Sequence, residues 1–314
     1  MKNQGNNPLP AVFYRLFVAA IIATPRFPFA KDRASKYIKL AIEAERKTID
    51  RPTESRNRNT IRGNGAETWK QRGADMKTGT QFTQISLFSV LLGGHYGGIV
   101  SVGEVKKLGN LAIATMDRLD GEVQMIDGVV YQACADGKIH LPGDDETIPF
   151  GTIADFRAED TVRLAGIPSY ELFETRMNDC CPQMDFPLAI RLAGEFGNMK
   201  VRAVRRQEQD GVGLAEAAKD EAVFEFADIR GDLVGFRLPQ YVGGINAPGW
   251  HLHFMDEDRK HGGHVVNFSL LEGDLSFCQA GDFHIRLPGS PDVFAGLDLG
   301  RDWSRELKKA EAER

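Results

Sequence analysis

Read as a succession of apolar and polar positions, the chain changes character near residue 80. Before it, NQGNNP, TPRFPF and RPTESRNRNTIRGNG are Pro-, Asn- and Arg-rich breaks around one amphipathic stretch, Ser35 to Lys47, so residues 1–78 are expected to be a poorly ordered extension. From Gln81 the punctuation is that of a folded domain. FTQISLFSVLL carries helical apolar spacing and stops at Gly93-Gly94, and VGEVKKLG predicts a second short helix ending at Gly109. Strands dominate afterwards. LAIATM, GEVQMID, GVVYQAC and GKIHL alternate or run apolar between Asp-Gly dipeptides at 120–121, 127–128 and 136–137, the signal of successive hairpins. FPLAIRLAGEF, NMKVRAVRRQ, DLVGFRLP, GWHLHFM, GHVVNFSLLEG and DFHIRLP continue the strand pattern, with LAEAAKDEAVFE as a helical interruption and DWSRELKKAEAE as a terminal helix capped by Asp302. Strand and helix do not alternate regularly, so the pattern predicts an α+β protein. We expect two mixed or antiparallel β-sheet subdomains with a few flanking helices in a catalytic region over residues 79–314, dividing near 180–200.

Composition narrows the function classes. A chain of 314 residues with 42% apolar residues and 33 glycines is globular and able to bury one or two cores. Residues 1–80 carry 16 of the 39 Lys and Arg and 7 of the 44 Asp and Glu, leaving 23 against 37 over the remaining 234. The body is therefore acidic, which argues against nucleic acid as a partner. The four cysteines, Cys134, Cys180, Cys181 and Cys278, have no repeated spacing and no C-x-x-C pattern, as expected of a reducing compartment. The apolar run Leu16–Thr24 is too short to span a bilayer, so no membrane partner is expected. A cytoplasmic protein is the simplest reading, with export through the weakly basic N-terminus, Lys2 and Arg15, as the alternative.

Four of the seven histidines fall between Gly249 and Phe268, in GWHLHFMDEDRKHGGHVVNF. Residues i and i+2 of a strand share a face, so His251 and His253 present two imidazoles side by side while Trp250, Leu252 and Phe254 face the core. The polar DEDRKHGG reads as a hairpin connection that folds His264 back beside the first pair. Three imidazoles with a fourth position left open is the pattern of a catalytic zinc site rather than a sealed structural one. His261 reads as a solvated turn residue, and His95, His140 and His284 stand alone. The H-x-H-x-x-x-E spacing of His251, His253 and Glu257 also resembles half of a cupin metal box, which would make the chain a metal-dependent oxygenase or isomerase; no second box follows. A third, non-enzymatic reading is an inactive metal-binding protein.

The wider context resembles the alpha-acetolactate decarboxylase family. Gly235-Phe236-Arg237, Gly244-Ile245-Asn246, Pro248-Gly249, His251-Leu252-His253-Phe254, Glu257-Asp258-Arg259 and Gly262-Gly263-His264 carry that resemblance in order and spacing. Upstream, Leu119-Asp120-Gly121-Glu122, Asp127-Gly128, Tyr131-Gln132, Pro149-Phe150 and Ala189-Ile190-Arg191 agree with it, so the likeness covers roughly residues 80–314. Gly93-Gly94-His95-Tyr96, Ile148 and Trp250 depart from the usual pattern and bear on pocket shape and substrate range, not on the ligands.

The resemblance implies zinc-dependent decarboxylation of 2-acetolactate to acetoin and CO2 through a metal-stabilised enediolate protonated from one face. It assigns His251, His253 and His264 to the metal, Glu122 to the proton transfer, Arg202 to orienting the intermediate, Thr115 to the pocket lining, and Glu311 as an additional ligand from the C-terminal tail. Together with the apolar strand edges, it implies a homodimer.

Overall fold

The computed structural model describes residues 80–180, 185–294, 297, 298 and 303. The 1–78 extension, Glu311 and, apart from Trp303, the expected C-terminal helix lie outside them. In chain order the elements are β1 (Thr80–Ile85), α1 (Phe88–Leu92), β2 (Val100–Ser101), α2 (Val102–Leu108), β3 (Leu111–Thr115), β4 (Glu122–Ile126), β5 (Val129–Ala133), β6 (Ile139–His140), β7 (Thr147–Ile148), β8 (Phe150–Ala154) and β9 (Asp160–Ile167). There follow α3 (Tyr170–Cys180), β10 (Leu188–Val204), α4 (Leu214–Ala217), β11 (Glu221–Leu238), β12 (Gly249–Asp256) and β13 (Gly262–Arg286). The protein is thus mostly β with a few short helices.

The hairpin signals hold. Asp127 and Gly128, at φ 53° and 80°, close β4 onto β5 with the left-handed pair that a two-residue turn requires. Gly109 ends α2 as expected, and at its other end Ser101 and Glu104 form a reciprocal capping box. Three expectations fail for a common reason, the reach of the sheet. FTQISLFSVLL divides into β1 and the short α1, because Phe82 and Ile85 are buried while β1 pairs on both sides, parallel to β13 and antiparallel to β8. A strand covered on both sides loses its period-two signal. LAEAAKDEAVFE is helical only over Leu214–Ala217; its second half, where Val223, Phe224 and Phe226 break the helical period, opens β11. FPLAIRLAGEF and NMKVRAV fuse into β10, and GHVVNFSLLEG and DFHIRLP into the 25-residue β13.

Eleven strands form one hydrogen-bonded sheet in the order β10-β11-β12-β13-β1-β8-β3-β4-β5-β6, with β9 on β13. Because β10 also pairs with β13, the four strands β10, β11, β12 and β13 close on themselves. The sheet bends there around an apolar core that includes Phe196, Phe254, Phe268 and Leu270. The β-rich halves expected to divide near 180–200 therefore share β13, which pairs with β10 in one half and β1 in the other.

Helix α3 backs the site. Phe173 packs edge-on to Trp250 with ring centroids 5.4 Å apart, and the Tyr170 hydroxyl donates to the Trp250 carbonyl at 3.0 Å. Trp250, Leu252 and Phe254 all enter this core, so one face of β12 is fixed by burial and the other is left to its histidines.

Candidate active site

His251 and His253 lie on the outward face of β12, and His264 is the direct cross-strand partner of His253 on β13. Their ring centroids are 5.2, 4.8 and 5.5 Å apart, and their ligand nitrogens all lie within 4.8 Å of one another. Small side-chain rotations bring such a set onto one ion at metal–nitrogen distances of about 2.0–2.1 Å. His251 Nε2 and His264 Nδ1 are already 3.1 Å apart.

The third ring is held from the other half of the sheet. His253 is 1% exposed, and its Nδ1 lies 2.9 Å from the Val123 carbonyl oxygen. An acceptor there calls for a proton on Nδ1, which leaves the lone pair on Nε2; this is the second-shell arrangement that aims a metal-binding imidazole. The donor set of three imidazoles suits zinc or a similar borderline divalent ion better than a hard cation that prefers oxygen.

The residue before Val123 is Glu122, whose Oε2 stands 3.6 Å from His253 Nε2. One short strand, β4, thus supplies both the carbonyl that aims a histidine and the carboxylate beside it. Glu122 enters through Asp120-Gly121, where Gly121 has φ +79° and a Cβ would meet the Ala133 carbonyl at 2.4 Å, so only glycine fits. Thr115 sits opposite Glu122 on β3 and donates its hydroxyl to the Gly121 carbonyl at 2.9 Å. That hydroxyl steadies the turn.

Arg202 is the cross-strand partner of His264 on β10 and is 8% exposed. Its Nη1 donates to Glu221 Oε2 at 3.1 Å. Arg202, Glu122, Thr115, His251 and His264 line one cavity, whose remaining wall is apolar and includes Phe88, Leu91, Phe150 and Val204. Trp303 packs against that same apolar cluster. The structure therefore brings together every predicted site residue that falls within the described residues.

The chain leading into β12 is pinned by a buried amide network. Asn246 Nδ2 donates to Thr152 Oγ1 at 2.9 Å and to Gln84 Oε1, and Thr152 donates to the same Gln84 oxygen at 2.9 Å. Gln84, Thr152 and Asn246 come from three separate segments, and sequence reasoning assigned none of them. It also missed Glu221, because its segment read as helix.

His261 lies in the turn between β12 and β13 with its side chain 45% exposed, and its Nδ1 is 2.9 Å from Asp256 Oδ2. The turn reading holds. Glu257, the carboxylate of the cupin alternative, is exposed in that turn and lines a different, polar groove with Arg163, Glu195, Arg230 and Glu272. Strand β12 ends at Asp256, so Glu257 leaves the face that carries the histidines. The cupin-type ligand set is not assembled.

A family model described as alpha-acetolactate decarboxylase matches residues 82–301. Alpha-acetolactate decarboxylase of Methanosarcina mazei is 37% identical over 228 residues, covering 73% of this chain and 79% of the relative. The Bacillus licheniformis enzyme of the same name is 37% identical over 231 residues, covering 74% and 91%. The crystal structure of alpha-acetolactate decarboxylase from Bacillus subtilis superposes with a TM-score of 0.71 at 33% identity, covering 74% of this chain and 99% of that one. The match spans both halves of the sheet and both sources of the cavity's polar groups. This chain belongs to the alpha-acetolactate decarboxylase family.

Proposed function

We propose that this chain, a carboxy-lyase by its family, converts 2-acetolactate to acetoin and CO2, with a divalent ion, zinc by its donor set, held by His251, His253 and His264. One observation carries the reading: three imidazoles whose ligand nitrogens lie within 4.8 Å of one another face a cavity shared with a carboxylate and a guanidinium. Neutral histidines leave the charge of a bound cation uncancelled, whereas three thiolates or carboxylates would quench it. When bound, the ion supplies Lewis-acid stabilisation of negative charge developing on the substrate's oxygens, worth several kcal/mol.

The substrate is a β-keto acid with a hydroxyl on the intervening carbon. As the bond to the carboxylate breaks, its electron pair moves toward the ketone and gives an enediolate, which then takes a proton on carbon. Arg202, always charged and carrying a rigid fork of donors, orients the carboxylate and the anion that replaces it. Glu122 moves the proton: its carboxyl stands at the cavity wall beside His253 and within reach of a small guest. Thr115 holds the Asp120-Gly121 turn that aims Glu122. The wall of Phe88, Leu91 and Phe150 excludes water from the anion. Glu311, eight residues beyond Trp303, is the C-terminal carboxylate we assign to the ion, and two copies of the chain form the working unit.

The test is turnover. The purified protein is given 2-acetolactate, CO2 and acetoin are measured, and the assay is repeated after chelation and after zinc is restored. The reading predicts equimolar products, loss on chelation and recovery with the metal. Absence of CO2 release by metal-replete protein would refute it.

A further inference from the structure

We infer that Glu221 is a positioning residue for Arg202, setting the orientation of the guanidinium in the cavity. This rests on the role given to Arg202 above. The two residues meet diagonally across the β10–β11 ladder. Arg202 pairs with Val223 and Val204 with Glu221, so Arg202 and Glu221 share a sheet face one step apart. Their side chains are only 10% and 9% exposed, and the link is a single hydrogen bond of 3.1 Å from Nη1 to Oε2.

That geometry has two consequences. A guanidinium out of water needs a counter-charge, and Glu221 supplies it from the protein. An arginine side chain also has several rotatable bonds, and a bond to one nitrogen of the fork fixes the direction in which the rest of the planar donor set points. The carboxylate works against simple attraction, because a negative charge beside Arg202 weakens its pull on an anionic substrate. Glu221 therefore favours orientation over binding strength, and the two contributions separate in the kinetics. Removing Glu221 leaves a more strongly positive but less well-aimed arginine.

The experiment uses the full-length, metal-loaded protein. Glu221→Ala is expected to lower kcat at least about tenfold, since a misplacement on the order of 1 Å costs up to a hundredfold, while KM stays level or falls and metal content is unchanged. Glu221→Gln keeps an acceptor oxygen at the same place and is expected to restore kcat to within about threefold of wild type. Should the alanine variant not fold, Glu221→Asp serves in its place: it retains the charge but withdraws it by one methylene, and its kcat is expected to fall severalfold below that of the glutamine variant. In an Arg202→Lys background the Glu221→Ala change is expected to alter kcat less than twofold, because its effect passes through the guanidinium. Wild-type kcat in Glu221→Ala, or the full loss repeated in the lysine background, overturns the inference while leaving the role of Arg202 intact. Wild-type turnover by Arg202→Lys alone overturns that role and the inference with it.

Discussion

Gly263 precedes the third histidine and has φ +148°, and a Cβ built there would lie 2.6 Å from the Arg202 carbonyl oxygen. The obstacle is backbone, so no side-chain rotation relieves it. Gly263→Ala should thus push β13 away from β10 at the position where Arg202 and His264 pair. Overpacking of this kind costs about 1–3 kcal/mol, and a left-handed conformation imposed on a residue with a side chain costs about 1–3 kcal/mol more. The expected loss is on the order of 3 kcal/mol, or a Tm lower by roughly 6–12 °C for a domain of this size. Because the displacement falls on a ligand, metal affinity should drop by about tenfold or more. Gly128→Ala is the control: its φ of +80° imposes strain, but nothing lies within 4 Å of the new Cβ, and the β4–β5 turn holds no ligand. That variant should melt slightly lower and bind metal as the parent does. Thermal melts with and without zinc, paired with a zinc titration by competition against a chromophoric chelator, separate the two. If Gly263→Ala melts and binds metal like Gly128→Ala, the close approach of β13 to β10 does not position His264.

Other perturbations have equally definite outcomes. Glu122→Gln should retain bound metal but lose about 10²–10⁴ in kcat, as removal of a proton-transfer group does, whereas His251→Ala should lose metal and turnover together; metal analysis beside steady-state kinetics decides. Asn246→Ala strands the Gln84 and Thr152 groups in a buried setting and should cost about 1–3 kcal/mol in urea unfolding. Ser101→Ala removes half of the capping box of α2 and should cost about 1 kcal/mol by the same measurement. Burial pushes the thiol of Cys134 up to about 11 and that of Cys278 up to about 12, in each case opposing the thiolate. The reactive anion appears only as the pH rises toward those values, so both cysteines should resist iodoacetamide at neutral pH, read by peptide mass mapping.

The residues that were legible in the sequence are those whose signal is local. The strand period in GWHLHFM places His251 and His253 on one face and Trp250, Leu252 and Phe254 on the other, and the Gly262-Gly263 pair announces the return of His264. The Asp-Gly dipeptides mark hairpins because a left-handed pair of turn residues admits few alternatives. What stayed hidden depends on distant segments. Nothing near His253 indicates that the Val123 carbonyl will hold its Nδ1, 130 residues away. The Gln84–Thr152–Asn246 network joins three segments whose polar side chains look like ordinary strand and loop residues. Glu221 was masked by LAEAAKDEAVFE, where four helical residues at the start lent their period to a strand. Strand length was underestimated for a related reason: Gly194, Gly231 and Gly273 read as breaks, yet they are mutual neighbours where β10, β11 and β13 pass closely through the bend.

The claim beneath the mechanism is that three histidines from two strands hold the ion on which decarboxylation depends. X-ray absorption at the edge of the metal bound to the purified protein, measured alongside CO2 release as metal-free protein is titrated, tests it most directly. The account predicts a nitrogen and oxygen shell with three imidazoles, no sulfur, and activity that rises until one ion per chain is bound. A thiolate-containing shell, or full turnover by protein stripped of metal, would contradict it.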